Sequence, residues 1–163
     1  IYYFQSSSMT ELLHDHFRNI ILVDDDSDDR DLFFEAVSFV SPTAKVEMKR
    51  DGEELMEHLT NSASLPDVIF LDLNMPKKNG KECLVEIMEN KKLSKIPVIV
   101  YTTSLNPIDI EETFNQGASR FFRKPNSFEE LKELLHQLLV SENIKQPKRT
   151  KENYLVTRQL KFV

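Results

Sequence analysis

The chain has 163 residues, an apolar content of 40%, a net charge of −6 and a single cysteine. Its length and apolar content suit one folded core with tails, and one cysteine excludes an internal disulfide framework. Because no apolar run approaches the roughly 20 residues of a transmembrane helix, the composition predicts a soluble protein.

The first eight residues differ in character from the rest of the chain. They carry neither a cationic segment nor a long apolar one, so they do not resemble a signal peptide. Tyr3-Phe4-Gln5-Ser6 instead resembles the remnant of a protease-cleavable expression tag, with Met9 as the natural start. We therefore expect residues 1–8 to lie outside the fold, and we expect the protein to be cytoplasmic.

From about residue 17 to residue 139, apolar runs alternate with helical patterns. This alternation is typical of βαβ units that build a parallel sheet. The expected strands are residues 19–24, 44–48, 67–71, 96–102 and 119–123. The sequence therefore predicts an α/β fold with five parallel strands and five surrounding helices.

The first three helices show start signals in the sequence. Ser27 is expected to cap the first helix, whose apolar residues recur at three- and four-residue spacing. The second helix is expected to follow a turn at Asp51-Gly52, and the third to run from about Gly80 to Asn90.

Proline, glycine and serine mark the last two helices. Pro107 suits the first turn of the fourth helix, and Gly117 suits its end. Ser127 and Glu130 fit a capping box for the fifth helix. That helix is expected to bury four leucines, Leu131, Leu134, Leu135 and Leu138.

Four of the predicted strands end on polar residues. Asp24 and Asp25 stand at the end of the first strand, and Asp72 directly follows the third. Thr102 ends the fourth strand, and Lys124 directly follows the fifth. The carboxyl ends of parallel strands share one edge of the sheet, which is where open α/β sheets place their sites. We therefore expect three acids, a hydroxyl and an ammonium group to surround one point.

The three acids at this edge predict a divalent metal site. Each like-charge pair at about 4 Å costs roughly 1 to 4 kcal/mol, so a shared cation would stabilise Asp24, Asp25 and Asp72 together. Oxygen-only ligands favour Mg²⁺, with Mn²⁺ as an alternative. The backbone carbonyl of Asn74 is a further expected ligand.

Asp72 is the candidate nucleophile because it stands alone at a strand end. A carboxylate attacks phosphorus to form an acyl phosphate. Lys124 would pair with one phosphoryl oxygen, and the Thr102 hydroxyl would donate a hydrogen bond to another. These residue types together predict phosphoryl transfer to Asp72 with help from a metal ion.

The sequence resembles the receiver domains of bacterial two-component response regulators, including the stand-alone chemotaxis-regulator type. The spacing is near that of the family, with 30 residues from Asp72 to Thr102 and 22 from Thr102 to Lys124. A weaker resemblance links the chain to single-domain regulators of phytochrome-type kinases. The matching stretches are Val23-Asp24-Asp25-Asp26, Leu71-Asp72-Leu73-Asn74-Met75-Pro76, Gly80, Tyr101-Thr102-Thr103 and Lys124-Pro125.

The resemblance implies a flavodoxin-like sheet with strand order 2-1-3-4-5 and a role for each matching residue. Asp72 would be the phosphoacceptor, Asp24 and Asp25 the metal-binding acids, and Lys124 the phosphate-pairing lysine. In this family the peptide bond between that lysine and the following proline, here Pro125, is commonly cis.

The resemblance also implies how such a domain would signal. A histidine kinase or phosphotransfer protein would phosphorylate Asp72, Thr102 would move inward, and Phe121 would reorient as its switch partner. The surface of strand four, helix four and strand five would then change its binding to a target protein or to a second copy of the chain. On this view the protein is a switch rather than an enzyme.

Two other functions remain open. A Mg²⁺-dependent phosphatase that works through an aspartyl phosphate would typically need a second acid two residues after Asp72, where this chain has Asn74. A degenerate receiver could act as a constitutive interaction module. It would not need the acids together with Thr102 and Lys124, so the presence of the full set argues against this alternative.

Two predictions concern neighbours of these residues. Asp26, Asp28, Asp29 and Asp31 follow the acid pair and are interpreted as a solvated face, as most charge runs are. Strand alternation is expected to turn only one of Phe121 and Phe122 into the core.

The C-terminal part of the chain is basic. Residues 141–163 contain six basic and two acidic residues, a net charge of +4, whereas residues 9–140 form the predicted receiver domain. The stretch from Tyr154 to Val163 is apolar and β-prone, so it would add a strand to another surface, or it would be disordered or derived from cloning. Residues 141–163 are too few for a DNA-binding output domain.

Overall fold

The computed structural model describes residues 17–140 and 149–156, and these form a parallel sheet covered by helices on both faces. The strand order is β2-β1-β3-β4-β5-β6, so the predicted order 2-1-3-4-5 is confirmed and a sixth strand extends it. The six strands of the described residues are β1 (Asn19–Val23), β2 (Lys45–Lys49), β3 (Val68–Leu71), β4 (Val98–Thr102), β5 (Arg120–Arg123) and β6 (Leu155–Val156).

In the part of the chain that the structure describes, five long helices and one short helix surround the sheet. A 3₁₀ turn at Leu93–Lys95 precedes β4. The helices are α1 (Ser27–Val40), α2 (Gly52–Asn61), α3 (Gly80–Glu89), α4 (Pro107–Gln116), α5 (Phe128–Val140) and α6 (Lys151–Tyr154). No helix within residues 17–140 and 149–156 combines the length and apolar character needed to cross a membrane.

The central strands are buried on both faces because helices cover each side of the sheet. α1 and α5 pack on one face around Phe33, Phe70 and Phe122. α2, α3 and α4 cover the other face, where Leu71 and Phe121 lie. The expectation that only one of the two phenylalanines points into the core was therefore wrong, since both are fully buried, on opposite faces.

Helix starts agree with the prediction in position but not always in the capping residue. α1 begins at Ser27, but Asp26 is its cap, because the Asp26 carboxylate accepts hydrogen bonds from the backbone N–H groups of Asp28 and Asp29. Asn106 caps α4, with Pro107 in its first turn as expected. Ser127 accepts a hydrogen bond from the Glu130 N–H at 3.2 Å, which is one half of the predicted capping box.

Helix ends and buried faces agree closely with the sequence pattern. Gly117 ends α4 with φ 106°, a left-handed conformation that favours glycine. In α5, Leu131, Leu135 and Leu138 are buried as predicted, whereas Leu134 is only partly buried. Strand ends differ from the predicted bounds by one or two residues, because β4 and β5 begin only where the ladder with a neighbouring strand begins.

The segment 149–156 lies against the edge of the sheet formed by β5. Leu155 and Val156 pair in parallel with Phe121 and Phe122. Tyr154 is 1% exposed and packs on the same face as Phe121. The strand thus pairs within the chain's own sheet, while residues 1–16, 141–148 and 157–163, including the predicted tag remnant and most of the predicted tail, lie outside the described residues.

Candidate functional site

The predicted polar residues meet at the carboxyl edge of the sheet. Asp24 follows β1 and Asp72 follows β3, and the backbone N–H of Asp72 donates to the Val23 carbonyl at 3.0 Å. Thr102 ends β4, and its carbonyl accepts a hydrogen bond from the Lys124 N–H at 2.8 Å. These two hydrogen bonds continue the β1–β3 and β4–β5 ladders by one residue. The pairing of the strands therefore sets the spacing of the site residues.

Asp24, Asp25 and Asp72 form an acidic cluster whose ligand oxygens lie within 4.8 Å of one another. Asp24 and Asp72 are buried and Asp25 is exposed. Asp24 Oδ2 is buried and forms an ion pair with Lys124 Nζ at 2.6 Å. Three clustered carboxylates supply the oxygen ligands that a hard divalent cation such as Mg²⁺ prefers.

The loop after Asp72 begins with a contact to the same carboxylate. The backbone N–H of Asn74 donates to Asp72 Oδ1 at 3.3 Å, so this loop stays next to the cluster. Gly80 approaches the backbone of Asp72 closely, and a Cβ at this position would lie 2.1 Å from the Asp72 carbonyl oxygen. Metal binding by the Asn74 carbonyl stays a prediction.

Lys124 is the cation of the site in this structure. Its ammonium nitrogen lies 2.6 Å from Asp24 Oδ2, 2.8 Å from Asp29 Oδ2 and 3.2 Å from Asp72 Oδ2. The contacts with Asp29 and Asp72 are hydrogen bonds. The Lys124 side chain is 8% exposed, so most of its charge is neutralised by these carboxylates rather than by water.

The protonation of the site follows from this geometry. Burial opposes the charge of Lys124, but hydrogen bonds to Asp24 and Asp29 and the charge of Asp72 outweigh it and hold the pKa of the lysine above its ordinary value. Burial raises the pKa of Asp24 to about 6, against the opposing effect of Lys124. The lysine is therefore permanently charged, whereas the Asp24 carboxyl titrates in the weakly acidic range.

Thr102 and Phe121 lie on the same face of the sheet. Phe121 pairs with Val100, and Thr102 pairs with Arg123, so the two predicted switch residues are diagonal neighbours on adjacent strands. Both are fully buried. Thr102 Oγ1 accepts a hydrogen bond from the Ser104 N–H at 3.4 Å.

Two features differ from expectation. The peptide bond between Lys124 and Pro125 is trans, not cis as the resemblance implies; the two isomers of such a bond differ by only about 0.5–1 kcal/mol, so the surrounding structure decides between them. Asp29 contacts Lys124 and is not simply solvated. The signal for Asp29 was its place in the first turn of α1, because helical side chains tilt toward the N-terminus and so toward the strand ends.

Replacement of Lys124 tests its role as the cation of the cluster. Lys124→Met is expected to lower the free energy of unfolding of the metal-free protein by about 3–5 kcal/mol near neutral pH, because buried carboxylates lose their counter-ion. Mg²⁺ is expected to stabilise the variant more than the wild type, since the ion neutralises the same acids. Urea denaturation in EDTA and in excess Mg²⁺ measures both effects.

The same experiment has a defined pH dependence. The pKa of Asp24 is raised from 3.8 to about 6, so its ionisation costs stability as the pH rises through that window. Because Lys124 lowers this pKa, Lys124→Met should raise it further, so the deficit should be largest at high pH and smallest at and below about pH 6, where Asp24 carries a proton in the variant. A deficit independent of both pH and Mg²⁺ would show that Lys124 contributes by packing alone.

Comparisons with known proteins identify the family of this chain. The profile of the family described as "Response regulator receiver domain" matches residues 20–136. Response regulator Rcp1 of Synechocystis is 33% identical over 117 residues, covering 69% of this chain and 80% of that protein. The "Probable methanogenesis regulatory protein FilR2" of Methanothrix harundinacea is 32% identical over 123 residues, covering 73% of this chain and 79% of the relative.

Solved structures give the same result. The phosphorylated cyanobacterial phytochrome response regulator RcpA superposes with a TM-score of 0.71 and 34% identity, covering 77% of this chain and 95% of that one. The Mn²⁺-bound form of Rcp1 superposes with a TM-score of 0.70 and 30% identity, covering 76% of this chain and 96% of that one. The chain therefore belongs to the response regulator receiver domain family of two-component systems.

Proposed function

We propose that the chain is a phosphorylation-dependent switch that accepts a phosphoryl group on Asp72. The observation that carries this proposal is the buried Lys124 ammonium, which joins Asp24 and Asp72 beside the exposed Asp25 at one edge of the sheet. Structures of a phosphorylated relative and of an Mn²⁺-bound relative support it. The expected donor is a histidine kinase or phosphotransfer protein, and phytochrome-type kinases are favoured by the similarity to the phytochrome response regulator RcpA.

The chemistry assigned to Asp72 is nucleophilic. A carboxylate oxygen of Asp72 attacks phosphorus while the P–N bond of a phosphohistidine breaks, and the leaving imidazole nitrogen keeps the electron pair and takes up a proton. Asp24, Asp25 and Asp72, with the Asn74 carbonyl, would hold Mg²⁺ or Mn²⁺, which supplies positive charge to the phosphoryl oxygens when bound. Lys124 would pair with one of those oxygens, and Thr102 would donate a hydrogen bond to another.

The proposed output is a change of the surface formed by β4, α4 and β5. Thr102 would move toward the phosphoryl group, and Phe121 would reorient into the space that it leaves. Segment 149–156 packs on this surface, with the ring centroids of Tyr154 and Phe121 6.2 Å apart, so a reorientation of Phe121 would also change the packing of Tyr154. Such a change would alter binding to a target protein or homodimerisation across this surface, so we propose a switch rather than an enzyme.

Phosphorylation by a small donor tests the proposal directly. With Mg²⁺ and acetyl phosphate, intact-mass measurement is expected to show one phosphoryl group per chain, and EDTA is expected to prevent its formation. Reduction of the acyl phosphate with borohydride, followed by peptide mapping, is expected to mark Asp72. If neither acetyl phosphate nor beryllofluoride engages Asp72, a constitutive interaction module becomes the better function; steady turnover of a phosphomonoester would favour a phosphatase.

A further inference from the structure

The Lys124 ammonium has a third carboxylate partner outside the acidic cluster. Asp29 Oδ2 accepts a hydrogen bond from Lys124 Nζ at 2.8 Å, which is shorter than the 3.2 Å bond to Asp72. Asp29 belongs to α1, whereas Asp24 and Asp72 directly follow strands. The cluster that could hold a metal ion consists of Asp24, Asp25 and Asp72, so Asp29 contacts the lysine without belonging to that cluster.

The position of Asp29 is defined by its helix. Its backbone N–H donates to the capping carboxylate of Asp26 at 3.1 Å, and α1 packs against α5 through a core that contains Phe33 and Leu135. The side chain of Asp29 is 37% exposed, while those of Asp24 and Asp72 are 0% and 8% exposed. Among the three partners of Lys124, Asp29 is therefore the one that water can most readily replace.

We propose that Asp29 is a positioning residue that holds the Lys124 ammonium from the α1 side and so sets how readily Asp72 accepts a phosphoryl group. An ammonium group has three N–H donors, and three carboxylates surround this one. A phosphoryl group on Asp72 needs at least one of these donors. The hydrogen bond between Lys124 and Asp29 is the one that breaks, because the Asp29 carboxylate is the best solvated of the three. The negative charge of Asp29 also opposes an incoming anion.

This proposal rests on the proposed function, because it takes Asp72 as the phosphoacceptor. Asp29→Asn keeps the shape of the side chain but removes its charge, so Lys124 is held less strongly. The apparent second-order rate constant for phosphorylation by acetyl phosphate in saturating Mg²⁺ is expected to rise about threefold to tenfold. Asp29→Glu keeps the charge and is expected to stay near the wild-type rate.

Asp28→Asn is the matched control. Asp28 is exposed, lies in the same first turn of α1 and carries the same charge, but the carboxylates that contact Lys124 are those of Asp24, Asp29 and Asp72. Both asparagine variants therefore change the net charge and the helix terminus alike. Asp29 contacts Lys124 and is less exposed than Asp28, so the rates of the two variants are expected to differ.

A second readout needs no phosphate donor. In the metal-free protein, the side-chain NMR resonances of Lys124 are expected to shift in Asp29→Asn and to stay unchanged in Asp28→Asn. Equal phosphorylation rates in the two variants would overturn the role of Asp29 and leave the proposed function intact. Failure of every form to take up phosphate, the wild type included, would overturn the proposed function and this role of Asp29 with it.

Discussion

Asp72→Asn is expected to abolish the phosphoryl adduct that forms with Mg²⁺ and acetyl phosphate. The amide has the shape of the carboxylate but is not a competent nucleophile toward phosphorus, so no acyl phosphate forms. The neighbouring acids do not substitute for it, because Asp24 is fully buried against Lys124 and Asp25 follows a different strand. Intact mass is expected to show no gain, and beryllofluoride is expected to leave the NMR spectrum of the variant unchanged.

Loss of folding would not explain this result. Asp72→Asn removes one negative charge from three crowded carboxylates, so the thermal midpoint of the metal-free variant is expected to equal or exceed that of the wild type. Affinity for Mg²⁺ should fall, since one of three candidate ligands is lost. Asp28→Asn serves as the control for removing an acid, and it is expected to form the adduct. An adduct that persisted in Asp72→Asn would assign the phosphoacceptor to another residue.

Tyr154→Ala is expected to lower the free energy of unfolding by about 2–4 kcal/mol, the range for removing a large buried side chain from the edge of a core. The ring packs edge-to-face on Phe114 and Phe121 at centroid distances of 5.2 and 6.2 Å. Its hydroxyl donates to Thr113 Oγ1 at 2.7 Å. Nearby, the Arg149 guanidinium donates to the carbonyls of Phe114 and Ala118, so the segment is held at both ends.

Two matched variants separate the contributions at this position. Tyr154→Phe keeps the ring and removes one hydrogen bond, so a loss of about 1 kcal/mol is expected. Lys151→Ala removes an exposed side chain of the same segment, 3.6 Å from Glu111, and should change stability by less than about 0.5 kcal/mol. Urea denaturation followed by circular dichroism measures all three. If Tyr154→Ala unfolded at the wild-type urea concentration, segment 149–156 would not be docked on β5 in solution.

The sequence by itself determined the architecture and most of the site. The apolar runs that end in Asp24, Asp72, Thr102 and Lys124 are local signals, and a parallel sheet necessarily brings their ends to one edge. The start of α4 at Pro107 and its end at Gly117 were readable for the same reason. Proline and glycine restrict the backbone at their own positions, whatever lies around them.

Only the tertiary structure decided which groups share the lysine and what covers each face of the sheet. Asp29 meets Lys124 across a separation of 95 residues, and a charge run that includes Asp29 looks the same whether it faces water or an ammonium. Phe121 and Phe122 are both buried because helices cover both faces. Tyr154 and the strand that follows it lie against β5 because the whole sheet leaves that edge open to pairing. The first-turn position of Asp29 and the β-prone residues after Tyr154 are local signals, but neither identifies its partner, because these contacts join residues far apart in the chain.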